Sequence, residues 1–129
     1  MKYRKKILKC LVTGGSGFLG SHLSDQLTKL GHKVTIFDKK KSYWKKKNQK
    51  MIKGDLLNTN QVNKAVKKND IIFHFAGLSD LNEALSEPKK SIMLNVIGTV
   101  NLLDAAKKFK IKRFINASSI YVNSEQGGF

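Results

Sequence analysis

The sequence contains one cysteine, one proline and two arginines, and no apolar run approaches the ~20 residues of a membrane-spanning helix. A lone cysteine, Cys10, excludes a disulfide framework and predicts a reducing, cytoplasmic setting. It sits inside an apolar strand-like run, where a cysteine is core, so it is given no chemical role. Proline occurs only at Pro88, which leaves strands and helices free to alternate. Acids are scarce as well: nine Asp and Glu stand against 25 Lys and Arg, for a formal charge of +16. Such a surplus suits a phosphate-bearing partner. The scarcity of arginine argues against nucleic acid, because arginine supplies the forked contacts to phosphates and bases. The lysines are spread over every helix and loop and read best as a solvated background. The basic start, residues 1–6, leads into a short strand pattern rather than the apolar stretch of a cleaved signal.

What the chain does have is glycine in one telling place. Thr13-Gly14-Gly15-Ser16-Gly17-Phe18-Leu19-Gly20 follows the apolar run 7–12 and precedes an amphipathic run. Strand, tight turn and helix are the implied order. Glycine tolerates positive φ and bares the backbone. A helix start then offers free N–H groups and a partial positive charge, which together hold a phosphate. Such a triplet gains weight when an acid stands about 20 residues on. Asp38 meets that condition at the end of the next strand pattern.

The rest of the chain alternates. Phe18, Leu19, His22, Leu23, Leu27 and Leu30 recur at helical spacing, and Gly31 is placed to cap the helix end. Residues 33–38 and 51–53 read as strands, with a basic loop at 39–49 between them. Asn58 caps a helix that buries Val62, Ala65 and Val66. Residues 70–76 are almost continuously apolar, as in a parallel strand covered on both faces. A polar connector at 78–87 precedes a long helix at 90–109, with an expected buried stripe of Ile92, Val96, Val100, Leu103 and Ala106. Residues 112–117 make a fifth strand. The order predicts an α/β fold, a doubly wound parallel sheet with strand order 3-2-1-4-5 and its crevice at the carboxyl ends of strands 1 and 4. Residues 1–129 read as one domain, without a linker or internal repeat.

These blocks resemble the amino-terminal half of the extended short-chain dehydrogenase/reductase family, the NAD-dependent sugar epimerases and dehydratases. The resemblance rests on the glycine turn, Gly54-Asp55-Leu56, His74-Phe75-Ala76-Gly77-Leu78, residues 95–103 and Ala117-Ser118-Ser119, all in order. Phe75-Ala76-Gly77-Leu78 is similar to UDP-glucose 4-epimerases. The resemblance implies a Rossmann-type NAD-binding domain. Gly14, Gly17 and Gly20 would form the diphosphate turn, with the Phe18 and Leu19 amides as donors. Asp38 would hold the adenosine ribose and favour NAD over NADP, although Lys39, Lys40 and Lys41 stand close enough to neutralise a 2′-phosphate. Asp55 would accept from the adenine amino group, with Leu56 against the ring. Phe75, Ala76, Gly77 and Leu78 would pass beneath the diphosphate and nicotinamide ribose, and Asn95 would brace that loop. Ser119, with Ser118 as the second choice, would hydrogen-bond a substrate hydroxyl and is the one catalytic candidate. His74 is expected to be a packed structural histidine. No metal site is expected.

The family's general acid/base, a tyrosine in Tyr-x-x-x-Lys on the next helix, has no counterpart in place. Tyr43 has Lys47 at the right spacing but lies in the loop after strand 2, and Tyr121 is followed by Glu125. The chain is therefore expected to stop before the catalytic helix, to belong to a longer enzyme with a separate substrate domain, and to be inactive alone. The resemblance implies that the longer enzyme acts on a nucleotide sugar, without metal or membrane; members of the family often pair as homodimers, while the oligomeric state itself is not legible in this sequence. Two alternatives stay open at this point. One is a lysine-rich nucleic-acid binder, drawn from the mixture of lysines with Tyr43 and Trp44. The other is a naturally short NAD-binding protein without catalysis.

Overall fold

Five parallel strands form one sheet in the order β3-β2-β1-β4-β5 in a computed structural model that describes residues 6–119. The strands are β1 (Lys9–Thr13), β2 (Lys33–Asp38), β3 (Lys50–Lys53), β4 (Ile71–His74) and β5 (Arg113–Asn116). The expected order is borne out. Helix α1 (Phe18–Lys29) covers one face, where it closes Leu27 over Cys10, Val12, Val34 and Ile36. Helices α2 (Thr59–Val66) and α5 (Gly98–Lys108) cover the other, over Leu11, Phe37 and Ile72. Alternate residues of β1 thus serve opposite layers, as the pleat requires.

Local signals end the helices where the sequence says. Gly31 takes φ +87° and its N–H donates to Thr28 O at 2.9 Å, while His32 N donates to Leu27 O at 3.0 Å. That pair of bonds closes α1 in a Schellman motif. The Asn58 side chain accepts from Gln61 N at 3.1 Å and starts α2, which buries Val62, Ala65 and Val66 as predicted.

The long helix differs from expectation. The connector contains a short helix, α3 (Leu81–Ser86), capped by Asp80. The long helix then begins at Pro88 as α4 (Pro88–Ile92), passes through a π-helical turn at Met93–Ile97, and continues as α5. Its buried residues are Gly98, Leu102, Ala105 and Ala106. The expected stripe is corrected: Ile92 is 58% exposed and Val96 51%, Val100 and Leu103 are exposed too, and only Ala106 is buried. Two faces of this helix are apolar, and small residues decided between them. Gly98 lets the backbone settle on Leu56, where an added Cβ would stand 3.0 Å from the Leu56 Cβ. The π turn also shifts the helical phase, so one straight stripe cannot run through it. Leu102, fully buried between sheet and helix, is the residue this packing depends on. Leu102→Ala is expected to cost about 2–5 kcal/mol in urea unfolding, whereas Leu103→Ala stays within about 0.5 kcal/mol.

Candidate functional site

The turn between β1 and α1 is built by close backbone contacts. Gly14 sits at φ +70° and its N–H donates to Phe37 O at 3.0 Å. A Cβ at Gly14 would lie 2.6 Å from Ala76 N and 2.7 Å from Phe75 C, so the turn rests directly on the loop after β4. A Cβ at Gly20 would run into Gly14 O, so the first turn of α1 rests on the same bend. Gly17 is the N-cap and offers no side-chain cap, and no acid occupies the first helical turn. Phe18 and Leu19 are 82% and 56% exposed, and their amides precede the first intrahelical bond, Ser21 N to Gly17 O at 3.0 Å. Free amides, a positive helix end and no acid in the first helical turn make an anion cradle.

Asp38 stands at the end of β2 and ties that cradle to the next loop. Its Oδ2 accepts from Ser16 N at 3.0 Å and its Oδ1 from Lys40 N at 2.9 Å. Each oxygen keeps a second lone pair for a hydroxyl. Beyond it lies a pocket of about 300 Å³ lined by Lys39, Lys53, Gly54, Asp55 and Gln61. Asp55 Oδ1 accepts from Leu57 N at 2.9 Å, and Lys39 Nζ reaches Asp55 Oδ2 at 3.0 Å. The Leu57 N–H, with help from Lys39, holds the Asp55 carboxyl below the usual carboxylate range against the opposing pull of partial burial. Leu56 points the other way, into the core beneath α5, and Asn101 Nδ2 donates to its carbonyl at 2.9 Å. Leu56 is not among the residues that line this pocket.

The loop after β4 is fixed from both sides. Phe75 N donates to Thr13 O at 3.1 Å. On the far side, Asn95 Oδ1 accepts from Leu78 N at 2.8 Å and its Nδ2 donates to Leu78 O at 3.0 Å. This two-way clasp places Asn95, on the π turn, as the brace of the loop, and a Cβ at Gly77 would meet its Oδ1 at 2.6 Å.

The structure adds a feature beneath the turn that periodicity does not show. His74 is buried, with Nδ1 2.6 Å from Thr13 Oγ1 and Nε2 2.9 Å from Thr99 Oγ1. Thr99 spends its only hydroxyl proton on Asn95 O at 2.6 Å, so Nε2 must carry the hydrogen and donate to Thr99. Nδ1 then accepts from the Thr13 hydroxyl, whose oxygen is 3.4 Å from the Ala76 N–H. The bonds run in one direction, from the β4 loop through the histidine to the π turn. Burial pushes the His74 pKa down to about 4, so the ring is neutral. It is a structural histidine, as expected, but one wired to the loop. The signal in the sequence was threonine at 13 and 99, too common a residue to single out.

Other candidates fall as follows. Ser118 and Ser119 are exposed just beyond β5, at the same sheet edge, and Tyr121 lies outside the described residues. Burial pushes the Cys10 thiol up to about 11, which fits its place in the core. The loop at 39–49 is pinned by Gln49, whose Nε2 donates to Asp25 Oδ1 and Thr28 Oγ1, both at 3.0 Å. Tyr43 and Trp44 stay exposed in it. Among the described residues there is no cluster of three His, Cys, Asp or Glu, and no helix long and apolar enough to cross a membrane. Gly14, Gly17, Gly20, Asp38, Asp55 and the loop 75–78 therefore meet along the carboxyl edge of β1, β2, β3 and β4.

The sequence profile described as "NAD dependent epimerase/dehydratase family" matches residues 10–127. The chain belongs to the NAD dependent epimerase/dehydratase family. Among family relatives, a UDP-N-acetyl-alpha-D-glucosaminuronate decarboxylase of Bacillus cytotoxicus is 38% identical over 120 residues, covering 88% of this chain and 37% of the relative. A UDP-glucose 4-epimerase of Klebsiella pneumoniae is 34% identical over 131 residues, covering 92% of this chain and 94% of the relative. In three dimensions the chain is similar to MoeE5 in complex with UDP-glucose and NAD, at TM-score 0.83, 29% identity and 93% coverage of this chain. It is likewise similar to the Thermus thermophilus UDP-glucose 4-epimerase in complex with NAD, at TM-score 0.79 and 26% identity, covering 83% of this chain. The chain spans 39% and 36% of these two structures, and 37% of the Bacillus decarboxylase. The family and the doubly wound fold expected from the motifs are thereby borne out.

Proposed function

We propose that this chain is the NAD-binding portion of a nucleotide-sugar epimerase or dehydratase that works by transient hydride transfer to NAD. The observation that carries the reading is the bare turn: Gly14 and Gly20 leave no room for side chains, and the Phe18 and Leu19 amides precede the first intrahelical bond with no acid in the first helical turn. A diphosphate fits that cradle by charge and by hydrogen-bonding type. Asp38, with lone pairs left over from Ser16 and Lys40, would take the adenosine ribose hydroxyls, and Asp55 would take the adenine amino group in place of Lys39. The loop 75–78, held by Asn95, would lie beneath the diphosphate and the nicotinamide ribose. Ser119, or failing it Ser118, would orient a substrate hydroxyl. When bound, the nicotinamide supplies a reversible hydride acceptor, and the protein's share is orientation.

The same proposal includes what extends past this chain: residues 1–129 as the cofactor domain of a longer enzyme, a substrate domain elsewhere, a nucleotide-sugar substrate and pairing of two copies. The likeness to a complex that holds UDP-glucose and NAD supports the nucleotide-sugar substrate in this reading. Calorimetry tests the cofactor assignment. NAD is expected to bind more tightly than NADP, and Asp38→Ala to weaken NAD roughly 10- to 100-fold while narrowing the gap to NADP. Unchanged NAD affinity in that variant removes Asp38 from the site.

A further inference from the structure

The opposite edge of the sheet holds a second cluster of chemistry. Lys9, Lys33 and Lys50 each open a strand. Lys9 is paired with Lys33 across β1–β2, and Lys50 with Thr35, two residues after Lys33, across β2–β3. Residues two apart on a strand share a face, so all three lysines project to the side of Leu11, Phe37 and Ile52, the face that α2 covers. Lys64 in the last turn of α2, with Lys67 and Lys68 just after it, comes to the same place. The six lysines make up half of the twelve residues that line a cleft of about 460 Å³, and that lining has no carboxylate and no aromatic ring. Lys68 enters it from a left-handed backbone at φ +72°.

Little negative charge stands against these lysines. Among the described residues none of these six ammonium groups makes an ion pair. The carboxylate that acts on Lys9 is Asp70, and it is already engaged by Lys112 Nζ at 2.7 Å and Lys9 N at 2.9 Å. Like charges side by side on neighbouring strands destabilise a sheet. Favourable alignment with the α2 dipole accounts for lysines at that helix end but not for three at strand starts.

We propose that this cleft is an anion site for a compact oligophosphate group, separate from the glycine turn. Lysine presents phosphate with a point charge rather than a fork, which suits a short, flexible chain of phosphates. Single-stranded nucleic acid calls for aromatic platforms as well, and the lining has none. The site does not depend on the cofactor assignment, because it lies at the other edge of the sheet.

The probe is inorganic tripolyphosphate. In heteronuclear spectra of the chain, the amides of Lys33, Lys50 and Lys68 are expected to shift on titration. By calorimetry the double variant Lys33→Gln/Lys50→Gln is expected to lose roughly tenfold in affinity, as two solvent-exposed ammonium–phosphate pairs would. Lys89→Gln/Lys107→Gln, which removes the same charge elsewhere, is expected to lose less than about twofold. Equal losses in the two variants, shifts confined to residues 17–19, or no shifts at all would overturn the proposal. So would an oligouridylate that binds more tightly than tripolyphosphate.

Discussion

Gly14→Ala is expected to lower stability by about 2–4 kcal/mol and to weaken NAD at least about 100-fold. Two effects add at this position. A left-handed φ of +70° carries roughly 1–2 kcal/mol for any residue with a Cβ. The new methyl would also sit 2.6 Å from Ala76 N and 2.7 Å from Phe75 C, and backbone atoms have no rotamer with which to retreat. The β4 loop must move, and with it the floor of the proposed diphosphate site. Gly31→Ala is the matched control, since Gly31 has φ +87° but nothing within 4 Å of its Cβ position. It should cost only about 1–2 kcal/mol and leave NAD binding intact. Urea unfolding and calorimetry on the two variants check both parts. A Gly14→Ala protein no less stable than Gly31→Ala would mean that the turn and the β4 loop are not in contact.

Acidification is expected to destabilise the protein through His74. Its folded pKa, about 4, lies below the ordinary 6.5 because burial disfavours the imidazolium. The sign follows from proton counts: between pH 6.5 and 4 the unfolded chain takes up a proton that the folded chain refuses. The stabilisation is complete above pH 6.5, falls as pH drops through this window, and changes no further below about pH 4. The full loss is about 3 kcal/mol, of which about 2 kcal/mol falls between pH 6.5 and 5. Asp55 and Asp70, both lowered from 3.8, contribute stability that is lost mainly at lower pH, so the upper window isolates the histidine. There is a local reason for the refusal. A protonated Nδ1 could not accept from Thr13, and the chain of bonds from Ala76 to Asn95 would break at its centre. Unfolding free energies of the native chain should fall between pH 6.5 and 5, whereas His74→Gln stays flat. A parallel slope in both proteins would assign the acid sensitivity to other groups.

Much of the carboxyl edge of the sheet was legible in the sequence, because the residues concerned answer backbone demands. A glycine triplet between strand and helix, an acid at the end of β2, Gly54-Asp55 after β3 and Asn95 on the long helix all came to one edge. Less legible was anything that depends on which of two equal faces packs. Leu56 is apolar and follows the pocket residues, yet its side chain turns into the core where Gly98 makes room. The helix α3 escaped detection because it is six residues long and buries none of them, so it leaves no apolar rhythm.

By itself the sequence determined the order of elements, the parallel sheet, the glycine turn and the family, since φ preference, pleat alternation and helix capping act over a few neighbouring residues. The tertiary structure alone decided which stripe of the long helix is buried, how His74 is wired to Thr13 and Thr99, and that six scattered lysines share one cleft. Those outcomes hinge on contacts between residues 25 or more positions apart, or on strand register, and no local pattern encodes the side on which such contacts close.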